Sequence, residues 1–489
     1  MARRIAYSLV FVLIAVAAAL AAGVYVHRSR QLIVSPAPAL ALDTAAAAGR
    51  LAGAVRLRTI SFEAPSDESH AELLKLHGYL EGCFPQAHRA LKREKVGSYS
   101  LLYTWEGTDP AARPILLMAH QDVVPIAPGS ERDWHADPFG GEIRDGFIWG
   151  RGTWDDKGSL MAILEAAEAL TTAGFRPRRT VYLAFGHDEE NGGQDGARAI
   201  ATLLAARGVH LDFVLDEGQL ITDGILPGLA QPAALIGVAE KGSLTLSITD
   251  REAPGHSSMP GARSAIGAVA AALTKLEHAP LPAHLEGVPA ELLETLAPEM
   301  GGARRVVLSN LWLFGPLVRR ELERAPATNA VLRTTTALTV VRGGNKSNVL
   351  PGEAAAIVNF RLLPGDSIAR VVAHARRSIH DDRISIEVQP GATEASPIAT
   401  RESASYRLIN RTIRELFPDT VVAPGLVVGA TDSRHFAALA DSVYRFAPVR
   451  ARREDLARFH GTDERISIAN YAELIRFYAR LIEGASAGD

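Results

Sequence analysis

Apolar positions are spaced in three ways along this 489-residue chain, and each spacing predicts a different kind of element. From Ile5 to Val26 they run on without a charged side chain, between Arg3-Arg4 and His27-Arg28. At the 1.5 Å rise of a helix this run is ~33 Å long, enough for a bilayer core. It predicts an N-terminal transmembrane helix over residues 5–26, followed by a linker over 27–42 that contains Ser35-Pro36-Ala37-Pro38. A cleaved signal peptide, with a weak site at Ala19-Leu20-Ala21, is the alternative. Charge flanks both ends, so the positive-inside rule only weakly places the N-terminus in the cytoplasm and the body in the periplasm or outside.

Beyond residue 43, short apolar runs alternate with helical periodicity. Ser98–Trp105, Pro114–Ala119, Phe147–Trp149, Thr180–Phe185 and Phe213–Leu215 read as strands. Between and before them, helices are expected at Asp43–Arg58, Ser66–Phe84, Gly158–Ala173 and Asp195–Arg207, the last two closed by Gly174 and Gly208. This alternation predicts a doubly wound, mostly parallel α/β domain.

The spacing changes near Glu240. Ser243–Thr249 alternates as a half-buried strand, Val331–Val341, Ala354–Leu362 and Ile384–Val388 are strand-like, and Ala265–Glu277 and Val371–Ile379 are helical. That pattern predicts a smaller α+β layer with helices on one face of a sheet. Within it, Pro280–Ala325 reads as a helical insertion. After Pro390-Gly391 the α/β pattern resumes, with helices over Ser403–Phe417, from Ser433 and over Ala469–Glu483, and a strand at Val421–Val428. The expected division is an α/β domain that begins over 43–240, is interrupted by a smaller domain over 241–391, and is completed over 392–489.

Composition narrows the chemistry. With 47% hydrophobic and 22% charged residues the chain is globular, and a net charge of −3 gives no reason to expect nucleic acid as a partner. Cys83 is the single cysteine, so neither an intrachain disulfide nor a cysteine-based zinc site is available, and it reads as a core thiol.

Five clusters carry metal-type side chains: His120-Gln121-Asp122, Asp155-Asp156, Asp188-Glu189-Glu190, Asp216-Glu217-Gly218 and Phe459-His460-Gly461. The first four lie at or just after predicted strands, and ligand sites of α/β sheets form beyond the carboxyl ends of the strands. Two imidazoles and several carboxylates gathered there are the ligand set of a metal-assisted hydrolase.

Longer stretches around these clusters resemble the M20 metallopeptidases over about Ala48 to Ile482. They include Met118–Pro125, Gly150–Gly158, Gly186–Gly193, Pro254-Gly255-His256-Ser257-Ser258, Gly429–Arg434 and Arg458-Phe459-His460-Gly461. Asp216-Glu217-Gly218 and Arg458–Gly461 bring the chain nearest the carboxypeptidase S and N-acyl-amino-acid hydrolase branch.

The resemblance implies two zinc ions per subunit. Asp155 would bridge them, His120 and Asp216 would complete one site, and Glu190 and His460 the other; Glu217 competes with Asp216 for its place. Asp122 would orient His120, and a cis peptide is implied between Asp155 and Asp156. Glu189 is the implied general base, taking a proton from the attacking water and returning it to the leaving amine. His256 would stabilise the oxyanion in the active site of the opposite subunit of a homodimer, Asn348 would touch substrate, and Arg434 would read a free carboxylate.

The implied function is a membrane-anchored carboxypeptidase acting on short peptides, with an N-acyl-amino-acid hydrolase nearly tied. A catalytically silent scaffold is the rival from another class.

Overall fold

The computed structural model describes residues 2–38, 40–62 and 67–487. Ala39 of the expected linker, Ser66 at the expected start of a helix, and residues 488–489 lie outside that range.

The central element is a ten-stranded mixed sheet. Its middle is parallel: Val181–Gly186 pairs with Ile115–His120, which pairs with Leu211–Asp216, which pairs with Ala440–Arg445. One flank turns antiparallel through Ser100–Trp105 and Lys92–Val96. On the other side Ala233–Glu240 runs antiparallel to Ala440–Arg445 and parallel to Val421–Val427.

Residues 115–119 in the middle of the sheet are apolar at every position because both faces are covered. Ile115, Leu117 and Ala119 face a core shared with helices Thr44–Val55, Lys157–Thr172 and Ile468–Ser486. Leu116 and Met118 face the other way, toward Ala197, Ile200 and Leu204 of helix Ala197–Ala206. A serine hydroxyl or aspartate caps many of the helices, as where Asp43 accepts from Ala46 N and Ser467 from Asn470 N.

A second, four-stranded antiparallel sheet is built from Gly242–Arg251, Thr335–Gly343, Glu353–Leu362 and Ser385–Val388. Leu244, Leu246, Ile248, Val358 and Phe360 bury one face against helices Ala265–Glu277 and Ile368–Ile379. The edge strand Thr335–Gly343 is largely exposed.

Two expectations need correction. The stretch after Ser433 is a short 3-10 turn, Asp432–Phe436, leading into the central strand Ala440–Arg445. Residues Pro326–Leu332 are helical, so the strand expected from Val331 begins at Thr335.

At the N-terminus, Ala2–Val26 is one helix, long and apolar enough to be a membrane span or a signal sequence. Residues after it are tied along the body. Gln31 exchanges two hydrogen bonds with the Val422 backbone (3.0 and 2.7 Å), Arg414 Nε donates to Leu32 O, and Ala37 N donates to Glu415 O.

Candidate active site

The parallel strands end side by side, so the residues that follow them meet at one edge of the sheet. His120 is the last residue of Ile115–His120 and is buried. Its Nδ1 lies 2.9 Å from the backbone oxygen of Asp122, an acceptor only. That contact makes Nδ1 a donor and turns Nε2 toward Asp155 Oδ1, 2.9 Å away, and Glu217 Oε1, 3.6 Å away.

His460 approaches from the other side. Its Nε2 is 2.7 Å from Asp155 Oδ2 and 3.5 Å from Glu190 Oε1. The two oxygens of Asp155 therefore each face one imidazole, and each imidazole faces one further glutamate. His120, Asp155 and Glu190 offer ligand atoms within 4.8 Å of one another, as do His120, Asp156 and Glu217.

This donor set fits divalent cations. Burial opposes a charge on His120, yet hydrogen bonds with Asp122, Asp155 and Glu217 hold its imidazole well above the usual range. Asp155 and then Glu190 push His460 up to about 10. A proton so firmly held between imidazole and carboxylates marks a place where a cation is favoured. Asp156 and Glu190 Oε1 are buried without a hydrogen-bond partner among the described residues, and burial raises the Asp156 carboxyl well above its ordinary range.

Other carboxylates hold the main chain. Asp122 accepts from the amides of Glu189 and Glu190, 3.2 Å each, which fixes the 3-10 turn Glu189–Asn191 beside His120. Asp216 accepts from Glu217 N at 3.0 Å and Ser433 N at 2.8 Å. Both of its oxygens are thus engaged by amides, and Glu217 is the acid that faces His120. The Asp155–Asp156 peptide is cis.

Two residues without an assigned role in the sequence are central to this geometry. Glu464 Oε1 accepts from the amides of Gly152 and Trp154 at 2.9 Å and of Asp155 at 3.2 Å. Glu464 Oε2 lies 2.6 Å from Arg151 Nη1, and both side chains are buried. Arg151 also donates to the carbonyl oxygens of His460 at 3.2 Å and Gly461 at 2.9 Å, so one ion pair joins the loops that carry Asp155 and His460. Arg151 sits inside the Gly150–Gly158 stretch, but no spacing marks Glu464 as its partner.

The site opens into a cleft of about 1160 Å3. Glu189, Glu190, Glu217 and His460 line it, together with Arg361, Arg434 and apolar Leu220, Val427, Val449 and Phe459. Burial pushes the Glu189 carboxyl well above its usual range, with Asp432, Glu217 and Glu190 adding to the shift. Arg434 is held by the carbonyl oxygens of Thr431 and Gly192, 2.7 Å each. Nearby, Gly193 (φ 64°) leaves room for Asp432, since a Cβ there would fall 1.9 Å from Asp432 Oδ1.

His256 and Asn348 are not among the residues lining this cleft. His256 is exposed on Gly255–His256, paired with Val349–Leu350, and its Nδ1 contacts Ser258 Oγ at 2.8 Å. Asn348 accepts from Ser257 N next to it.

Known proteins share this arrangement of sequence and fold. The chain is 43% identical over 440 residues to the probable carboxypeptidase S-like 2 of Dictyostelium discoideum, covering 89% of this chain and 84% of the relative. It is 42% identical over 440 residues to the N-fatty-acyl-amino acid synthase/hydrolase PM20D1 of Xenopus tropicalis, covering 89% and 85%. Carboxypeptidase S of Saccharomyces cerevisiae is 30% identical over 478 residues, covering 88% and 82%. The M20 family metallo-carboxypeptidase Sso-CP2 of Sulfolobus solfataricus has the same fold, with a TM-score of 0.66, 18% identity, and 90% and 99% of the two chains covered. Residues 116–484 match the profile of Peptidase family M20/M25/M40, and the chain belongs to that family of hydrolases.

Proposed function

We propose that this chain is a di-zinc amidohydrolase that releases a terminal amino acid with a free carboxylate, and that its preferred substrate is an N-acyl amino acid. The observation that carries the reaction type is Asp155, whose oxygens each face one imidazole at 2.9 and 2.7 Å, with Glu189 lining the same cleft. One ion would be held by His120, Asp155 and Glu217, with Asp216 bracing the loop, and the other by His460, Asp155 and Glu190. Zinc in these places would supply Lewis acidity, polarising the scissile carbonyl and making water acidic enough to be deprotonated near neutral pH.

The chain's own residues do the rest. Glu189 takes the proton from the attacking water and delivers it to the departing nitrogen. Its upward-shifted carboxyl suits a group that must both accept and give a proton. Arg434, with Arg361 also lining the cleft, reads the substrate carboxylate. In each dimer, His256 of the partner subunit would meet the oxyanion, in keeping with its exposure outside its own cleft. The exposed edge strand Thr335–Gly343, with Val341 66% exposed, is the surface available for a two-fold contact through a lid domain spanning 241–391. The helix 5–26 would anchor the protein in a membrane with the body on the outer side.

A long acyl chain is favoured over a peptide because apolar Leu220, Val427, Val449 and Phe459 are among the residues lining a wide cleft. It accords with the similarity to an N-fatty-acyl-amino acid synthase/hydrolase. The second reading, a carboxypeptidase on short peptides, draws on the similarity to carboxypeptidase S. Purified protein loaded with zinc and offered a long-chain acyl amino acid and a blocked dipeptide separates the two. Faster turnover of the dipeptide, measured as kcat/KM, would reject the acyl preference. Release of no amino acid from either would reject the hydrolase.

A further inference from the structure

The helix Leu311–Leu322 is apolar on two sides, and one of them is left in water. Leu311, Phe314, Gly315, Val318 and Leu322 form the inner stripe, half-buried or buried. Trp312, Leu313 and Leu317 stand on the opposite side, 66%, 43% and 63% exposed. Arg319, Arg320 and Glu321 are exposed in its last turns, so the uncovered apolar surface belongs to its first two turns, and a clustered exposed apolar patch of this kind marks a contact surface.

The preceding residue connects this helix to the N-terminal one. Asn310 Nδ2 donates to Leu20 O at 3.2 Å, and Trp312 Nε1 donates to Asn310 Oδ1 at 3.1 Å. Gly23 permits the approach, because a Cβ there would lie 2.1 Å from Asn310 Oδ1. On the N-terminal helix, Leu20, Gly23 and Val24 are half-buried while the residues before them are exposed, so only its last turns touch the body.

That contact sets a depth. Leu20 precedes Val26, the last helical residue, by ~9 Å along the axis. If the N-terminal helix spans a bilayer, whatever touches Leu20 is drawn to a comparable depth in the adjoining leaflet. Amphipathic helices lying in a membrane surface bury their apolar side by about 5–10 Å, which matches. Tryptophan suits that layer, having a large apolar ring and one N–H. Between residues 302 and 324 stand five arginines and two glutamates, a balance that favours anionic headgroups.

We infer that Leu311–Leu322 is a second, in-plane membrane contact, occupied by the lipid leaflet into which the N-terminal helix inserts. This inference rests on the membrane-anchor reading above. Together the spanning helix and the in-plane helix would fix the tilt of the catalytic body over the bilayer, which one flexible tether would not.

The test uses the full chain with Cys83→Ser as background. Single cysteines replace Leu313, Leu317, Leu13 and, as a control, Arg251, whose side chain is 75% exposed. Each carries a bimane label and is reconstituted in vesicles of phosphatidylcholine with a minority of phosphatidylglycerol. Lipids with a doxyl group high on the acyl chain should remove more than half of the emission at 313 and 317 and leave 251 unchanged. Lipids with the group deep in the chain should quench the label at 13. Quenching at 13 with none at 313 and 317 would overturn the in-plane contact and leave the anchor standing. Quenching at 313 and 317 without 13 would keep the surface contact and remove the span. No quenching at any position would end both.

Discussion

Replacing Glu464 by glutamine changes one buried atom, and the structure says what that atom holds. As a carboxylate, Glu464 accepts three main-chain amides with one oxygen and the Arg151 guanidinium with the other. Glutamine keeps only one acceptor. Its NH2 must face either the amides of Gly152, Trp154 and Asp155 or Arg151, and both are donors. Breaking a buried ion pair from one side costs about 3–5 kcal/mol, because the remaining charge stays out of water.

The loss should reach the metal centre, because the same carboxylate positions the Asp155 amide, and Arg151 holds the loop after His460. Changes in groups that orient ligands typically weaken metal binding by about 10–100-fold. Zinc affinity would be measured by competition with a chromophoric chelator, alongside urea unfolding of the metal-free protein. Glu165→Gln is the control: buried Glu165 also forms an ion pair, 2.6 Å from half-buried Arg50, between helices Thr44–Val55 and Lys157–Thr172. It should lose stability and keep wild-type zinc affinity. Unchanged zinc affinity in Glu464→Gln, or an equal loss in Glu165→Gln, would refute the positioning role.

Glu189→Gln should keep its full zinc content and lose about 100- to 10,000-fold in kcat, the usual worth of a general base; metal lost along with activity would make Glu189 a ligand. Glu217→Ala should lose about one zinc per chain by elemental analysis, whereas Asp216→Asn should retain both; the reverse result would restore Asp216 to the metal. Burial, with Arg361 nearby, lowers the Lys241 ammonium from 10.5 to about 8. The unfolded chain therefore binds that proton more tightly, and between about pH 8 and 10.5 stability rises with pH, by up to roughly 3 kcal/mol. Compared with Lys241→Met, the wild type should gain in urea midpoint as pH is raised through that window; a constant difference would show Lys241 to be unperturbed. Finally, Glu189→Gln and His256→Ala, each inactive alone, should regain some of the activity when mixed. One site of a mixed dimer carries both lesions and the other neither, and no recovery after proven subunit exchange would confine His256 to its own chain or to no catalytic role.

The sequence is most revealing where local spacing and burial coincide. Ile115–His120 is apolar on both faces and ends in a histidine, so strand and candidate ligand are legible together. The strand Ala440–Arg445 escapes such a reading because Asp441, Ser442 and Arg445 interrupt it. Those polar groups find partners only in the folded protein, as where Arg445 meets the buried Glu240 at 3.3 Å. Glu464 is illegible for the same reason: it lies in the polar run Gly461–Arg465, and only the fold brings Arg151 to it. A linker rich in proline and alanine reads as a spacer, and nothing in its composition shows that Gln31 will clasp Val422.

Three adjacent acidic pairs show where spacing stops being informative. In Asp155-Asp156, Glu189-Glu190 and Asp216-Glu217 the sequence does not say which side chain of the pair reaches a given point. Which one does so depends on the backbone, and the backbone is set by hydrogen bonds from elsewhere. Asp216 is occupied by two amides, one of them from Ser433, more than two hundred residues away, and that leaves Glu217 to face His120. Asp122, itself two residues beyond His120, takes the amides of both Glu189 and Glu190 and so sets which of them reaches toward His460. Glu464 does the same for Asp155 from the loop that follows His460. Each acid that faces the imidazoles thus depends on a second acid that faces the main chain. Near such a centre, the number of carboxylates in the sequence exceeds the number of ligands, and the surplus is what gives the ligands their direction.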